Sequence, residues 1–161
     1  MGARARIVGL RVGVAIAVVG GVVATAVVQA PMATALTKPQ TLTYSTKLTA
    51  LTPVPVAGQT SSASQPGDYV VITDSYSQGG KSVGTDVVHC MLVTTKESIC
   101  FVAVSLPRGQ LELQGIGPAG GTGDFTVAVT GGTGAYANAR GTATIKSGAN
   151  NTGTETFHLL P

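Results

Sequence analysis

From about residue 41 onward, the chain is a succession of short runs in which valine and other apolar residues alternate with threonine and other polar ones. The runs fall near 41–50, 68–76, 83–94, 99–105, 110–116, 125–130, 140–147 and 154–159, separated by glycine or charged breaks. A period of two puts successive side chains on opposite faces of a strand. No window beyond the first 35 residues carries the 3.6-residue apolar stripe of a helix. Eight short strands with turns between them describe an all-β sandwich or barrel. With no helix to cover sheet edges, closure is the economical solution, because it leaves no edge exposed. The expected fold is therefore an eight-stranded closed β-barrel. Its interior is just wide enough for side chains or one small ligand. The chain has no tryptophan, four tyrosines and three phenylalanines. Strands filled by Val, Ala and Gly leave room for a pocket.

The first 35 residues read differently. Arg4, Arg6 and Arg11 precede an apolar run from Val12 to Val28, and Ala33-Thr34-Ala35 follows. A basic stretch, an apolar stretch and a small-x-small step form a secretory signal peptide. Cleavage is expected after Ala35, with Ala26 and Ala30 as other positions. A retained anchor is the competing reading, but the run is at the short end of what spans a bilayer. The barrel domain is then 36–161, secreted to the extracellular side, with membrane contact only through an uncleaved signal segment. Within it, "LTPVPVAGQTSSASQPG" (51–67) reads as one long Pro/Ser/Thr-rich loop.

The formal charge of +3 comes from the three leading arginines, since seven bases beyond them match the chain's seven acids. No basic patch is left to follow a phosphate backbone, so nucleic acid is not an expected partner. Cys90 and Cys100 flank a turn, "TTKES", between the strand-like "VVHCMLV" and "ICFVAV". In an exported protein two cysteines placed across a hairpin are expected to form a disulfide. His89 alone is too few ligands for a metal, and none is expected.

"TGGTGAYANARGTATI" (130–145) brings Gly131, Gly132 and Gly134 together ahead of a basic residue. A phosphate loop would need Lys-Ser/Thr and a helix next. Here no lysine follows Gly134, and the residues after Arg140 alternate as a strand. The three glycines are expected instead to form a tight corner between two strands.

Four segments carry a resemblance: "GDYVVITDSY" (67–76), "KSVGTDVVHC" (81–90), "CFVAVSLPRGQLELQG" (100–115) and "FTVAVTGGTGAYANARGTATI" (125–145). In this order and spacing they resemble the allene oxide cyclase and dirigent superfamily of eight-stranded antiparallel barrels, and most nearly its exported bacterial members. The resemblance runs from about Leu42 to Leu160. It implies a barrel pocket that guides or catalyses stereoselective cyclisation or coupling of a small hydrophobic metabolite. A cofactor-independent isomerase or cyclase works that way, by orientation and by exclusion of water. The alternative is a non-catalytic exported barrel that binds a lipid-like ligand or a surface partner; assembly into a homo-oligomer is left open.

By the same resemblance Asp74 matches an aspartate that faces the pocket, and Arg140 matches the family arginine. These two are the expected catalytic pair. Val70, Ile72 and Tyr76 share the strand face of Asp74 and are expected to line the pocket. Asp74 also reads as a strand-end aspartate bonding turn amides. Arg140 shares its face with Thr142, Thr144 and Lys146, which reads as solvent. Tyr136 reads as packing and His89 as an ordinary strand histidine. The chain departs from the family at Gly134 and Ala135, where many plant dirigents carry a second acid. No early-strand glutamate matches that of the allene oxide cyclases.

Overall fold

A computed structural model describes residues 36–56, 64–119 and 123–161. The expected signal peptide therefore lies outside the described residues. Eight strands run in chain order: β1 (Gln40–Val54), β2 (Tyr69–Gln78), β3 (Lys81–Leu92), β4 (Glu97–Leu106), β5 (Gly109–Pro118), β6 (Phe125–Gly132), β7 (Arg140–Ser147) and β8 (Thr152–Leu160). Each pairs antiparallel with the next, and β8 returns to β1 to close the barrel. This is the fold that the alternation and the need to remove edges led one to expect.

One expectation about the chain's course needs correction. Residues 51–54 are not loop; Leu51 through Val54 continue β1 and pair with Ile72 through Tyr69 of β2. Pro53 is tolerated because β8 pairs with β1 only as far as Lys47, so beyond it β1 is an edge with β2 as its one ladder neighbour; a register shift also falls between Leu48 and Ala50. That bulge at Thr49 switches the inward face of β1. Before it, Thr46 and Leu48 face the barrel interior; after it, Leu51 does. An extra residue inverts the inward parity, as a bulge must. The Thr49 hydroxyl donates to the Thr73 carbonyl at 2.8 Å and holds the irregularity in place.

The two ends of the barrel differ. At one end lie the β2–β3, β4–β5 and β6–β7 connections together with the start of β1. Here the interior is filled by Tyr44, Tyr76, Val104, Leu111, Tyr136, Phe157 and Leu159, all buried. Tyr44 meets Tyr76 and Phe157 edge-on, with ring centroids 5.8 and 6.1 Å apart, an arrangement favoured by the ring quadrupoles.

The glycine corner belongs to this filled end. Gly132 closes β6 and a single 3-10 turn spans Gly134–Tyr136. The turn drives Tyr136, only 2% exposed, into the barrel as a plug. The Ala135 amide donates to the Arg108 carbonyl, and the Thr133 amide to the Gln110 carbonyl, so the corner is stitched to the β4–β5 turn. Gly134 has φ +59, and a Cβ there would sit 2.5 Å from the Arg108 oxygen. Gly132 is held by crowding alone, since a Cβ there would sit 2.5 Å from the Tyr136 oxygen. Gly131 is not a turn residue. It lies within β6 with open space where a Cβ would go, because the turn begins only after Gly132. Gly134→Ala is expected to cost about 2 kcal/mol, from left-handed backbone strain plus the carbonyl clash. Gly131→Ala is expected to stay within about 0.5 kcal/mol. Urea denaturation of the two variants checks both.

Candidate active site

The opposite end holds a cavity of about 290 Å³. Its walls are mainly apolar, with Leu48, Val70, Ile72, Val88, Val102, Phe125, Val127, Ile145 and the Cys90–Cys100 disulfide, and Thr46, Ser98, Asn151 and Thr152 add polar groups. The disulfide follows from register, since Cys90 and Cys100 are directly opposed in the β3–β4 ladder with Cα atoms 4.1 Å apart. Asp68 organises the rim near the β1–β2 connection. Its carboxylate accepts the Val56 amide at 3.0 Å and the Gln65 amide at 2.8 Å, and these bonds hold its pKa below the usual value.

At the depth where the cavity meets the filled half, three carboxyls converge: Asp74 on β2, Asp86 on β3 and Glu155 on β8. Asp86 and Glu155 both contact the hydroxyl of Tyr76, which is fully buried, and Asp74 lies two residues before that tyrosine on β2. That hydroxyl lies 3.1 Å from Asp86 Oδ2 and also contacts Glu155 Oε2. The Asp74 amide donates to Asp86 Oδ1 at 2.8 Å. A phenol carries a single proton and can donate to only one carboxylate at a time. The second contact is satisfied when the other acid carries a proton of its own. Burial, and then the charge of neighbouring carboxylates, favour that state: Asp86 is pushed up to about 7 chiefly by desolvation and then by Asp74. Glu155 is likewise raised to about 7 by desolvation, with Asp86 and Asp74 adding to it against the Tyr76 hydrogen bond. Desolvation also raises Asp74. Glu155 Oε1 is buried with no hydrogen-bond partner among the described residues. The arrangement is a proton-holding floor beneath an apolar chamber, suited to protonating or hydrogen-bonding a bound molecule near neutral pH.

The expected site residues are only partly brought together. Val70, Ile72 and Asp74 line the cavity, as neighbours two apart on β2 should. Tyr76, the next on that face, lies below the floor and closes it rather than lining the wall. Arg140 does not reach the cavity. It starts β7 at the filled end, paired with Leu160, and its side chain is exposed, because Ala143 and Ile145 take the inward face. His89 is on the outer surface, stacked on Tyr69 with centroids 4.8 Å apart.

Asp86 and Glu155 went unforeseen, although a signal was present. Asp86 precedes Val88 and Cys90 on one strand parity, and Glu155 precedes Phe157 and Leu159 on another. An acid on an apolar parity is either at a strand end or inside a barrel.

No family model matches the sequence, and no curated protein does. Solved structures do. The chain is similar to a pyocyanin demethylase, with a TM-score of 0.67 and 26% identity over 75% of this chain and 100% of that one. It is similar to a pterocarpan synthase dirigent protein at TM-score 0.57 and 17% identity, covering 76% of this chain and 94% of that one. A Diels-Alderase from Streptomyces koyangensis superposes at TM-score 0.57 and 13% identity, over 74% of this chain and 63% of the other.

Proposed function

We propose, for a chain that has the allene oxide cyclase and dirigent-like barrel fold, that the cavity binds one small hydrophobic metabolite and guides its cyclisation or coupling. The carrying observation is the acid floor: Asp86 and Glu155 on the Tyr76 hydroxyl, with Asp74 lining the cavity beside them, under mainly apolar walls. Walls of Val, Leu and Ile restrict the conformers of a flexible substrate and exclude water from a reactive intermediate. A protonated carboxyl then supplies a hydrogen bond or a proton to an oxygen or nitrogen as charge develops on it. The fold neighbours that are a dirigent protein and a Diels-Alderase support a barrel that steers ring formation. Work after export, beginning near Leu36, is part of this proposal, and the Cys90–Cys100 disulfide supports it.

Outward Arg140 favours a second reading, since the cavity then lacks the expected acid–base pair. In that reading the barrel carries a lipid-like ligand without transforming it. Both readings need the cavity, and one variant tests it. Val70→Trp fills the chamber above the acids and leaves them in place. Native mass spectrometry against a panel of small phenols, enones and polyenes is expected to show a one-to-one complex with the wild type, lost in Val70→Trp. Equal retention by the variant would move the ligand outside the barrel. Turnover of the bound ligand by wild type, absent in Glu155→Gln, separates catalyst from carrier.

A further inference from the structure

The floor of the cavity carries acids and no countercharge. Asp74, Asp86 and Glu155 all line it. Of the described residues lining the cavity the sole base is Lys146, exposed at the rim near the end of β7. The one proton of the Tyr76 hydroxyl serves either Asp86 or Glu155, at the oxygens Oδ2 and Oε2, and leaves none for Glu155 Oε1. Glu155 is 4% exposed, and its Oε1 is without a partner among the described residues. An unpartnered buried carboxyl oxygen costs free energy that a ligand donor would recover.

We propose that the cavity is selective for small apolar molecules bearing a basic nitrogen, whose N–H or cationic end meets Glu155 Oε1 while the apolar body fills the chamber. This deepens the pocket reading above and rests on it. The chemistry works by exchange. A neutral amine takes the proton of the Glu155 carboxyl and leaves a carboxylate–ammonium pair; an amine that arrives protonated displaces that proton to solvent. Either way the ligand supplies the positive charge that the barrel wall lacks, and the charge-assisted hydrogen bond is stronger than a neutral one. A carboxylate ligand would meet like charge at the floor in a poorly screened interior, so fatty-acid anions are excluded. A neutral alcohol fills the same volume but satisfies Oε1 with a weaker bond.

Three probes with one bicyclic body separate these cases: 1-naphthylmethylamine, 1-naphthalenemethanol and 1-naphthoic acid, each titrated calorimetrically into the full barrel domain. The amine is expected to bind at least tenfold tighter than the alcohol, with no binding of the acid. In Glu155→Gln the amine's advantage should fall below about threefold while alcohol binding persists. Amine and alcohol of equal affinity, both lost in Val70→Trp, would overturn charge selection and leave the pocket reading standing. Amine binding that survives both Glu155→Gln and Val70→Trp would place it at the rim and overturn the proposal. Binding of none of the three would overturn it as well.

Discussion

Raising the pH from about 5 to about 8 is expected to destabilise the barrel by on the order of 3 kcal/mol, seen as a fall in Tm of on the order of 10 °C. The cause is the acid floor. Asp86 and Glu155 have folded pKa values near 7, against ordinary values of 3.8 and 4.5. Between those limits the folded state binds more protons than the unfolded chain. Stability from these groups is thus fully present below the ordinary carboxylate range and is lost as pH rises through about 7. The two sites share Tyr76 and repel each other, so their contributions do not simply add. Asp68 acts with the opposite sign, losing its contribution as pH falls through its lowered pKa, below 3.8, and the window from pH 5 upward avoids it. Glu155→Gln should reduce the pH slope by about half and raise Tm at pH 8, because an amide carries no charge to bury. Melting curves at several pH values, with 13C NMR titration of the carboxyls, check this. A flat Tm with both carboxyls titrating near pH 4 would show that the floor is hydrated and ordinary.

Phe157→Ala is expected to cost about 3–5 kcal/mol. Phe157 follows Glu155 on the inward face of β8, is 0% exposed and packs edge-on to Tyr44. The closed barrel leaves little freedom for neighbouring strands to collapse into the void. Phe157→Leu should lose less than about 1.5 kcal/mol by keeping most of the volume. Urea unfolding of both variants gives the comparison. A loss below about 1 kcal/mol for the alanine variant would mean that the filled end is loosely packed. The substitution also takes support from Tyr44, which touches both Phe157 and Tyr76. The floor hydroxyl should then gain freedom, visible as loss of the slow-exchanging Tyr76 phenol proton in NMR.

Stability and the proposed chemistry share residues here. Three acids at the junction of cavity and core are held against electrostatic preference, and replacing one with its amide is expected to stabilise the fold at pH 8. A gain of that kind would accord with the proposed role of the floor, since functional sites commonly cost stability. The outward position of Arg140 sharpens the point, since Lys146 at the exposed rim is then the sole base among the described residues that line the cavity.

Strand count, strand parity and closure were legible in the sequence because alternation is local and each strand states its inward face by itself. The β3–β4 pairing that joins Cys90 to Cys100 was legible for the same reason, being set by one short turn. Val70, Ile72 and Asp74 could be placed together because they sit two apart on a single strand. Tertiary structure alone decided which end of the barrel stays open. That depends on Tyr44, Tyr76, Tyr136 and Phe157, from four separate segments, meeting at one end and leaving the other to smaller side chains. It also decided that Asp86 and Glu155, 69 positions apart in the numbering of the chain, share one tyrosine hydroxyl with Asp74 beside them. Their raised pKa values come from being enclosed together, and no single strand contains that enclosure. A bulge at Thr49 and a corner stitched to Arg108 are likewise set by what lies across the sheet. Periodicity reports which face a side chain takes; only closure brings faces from distant strands to a common centre, and the acid floor sits at that centre.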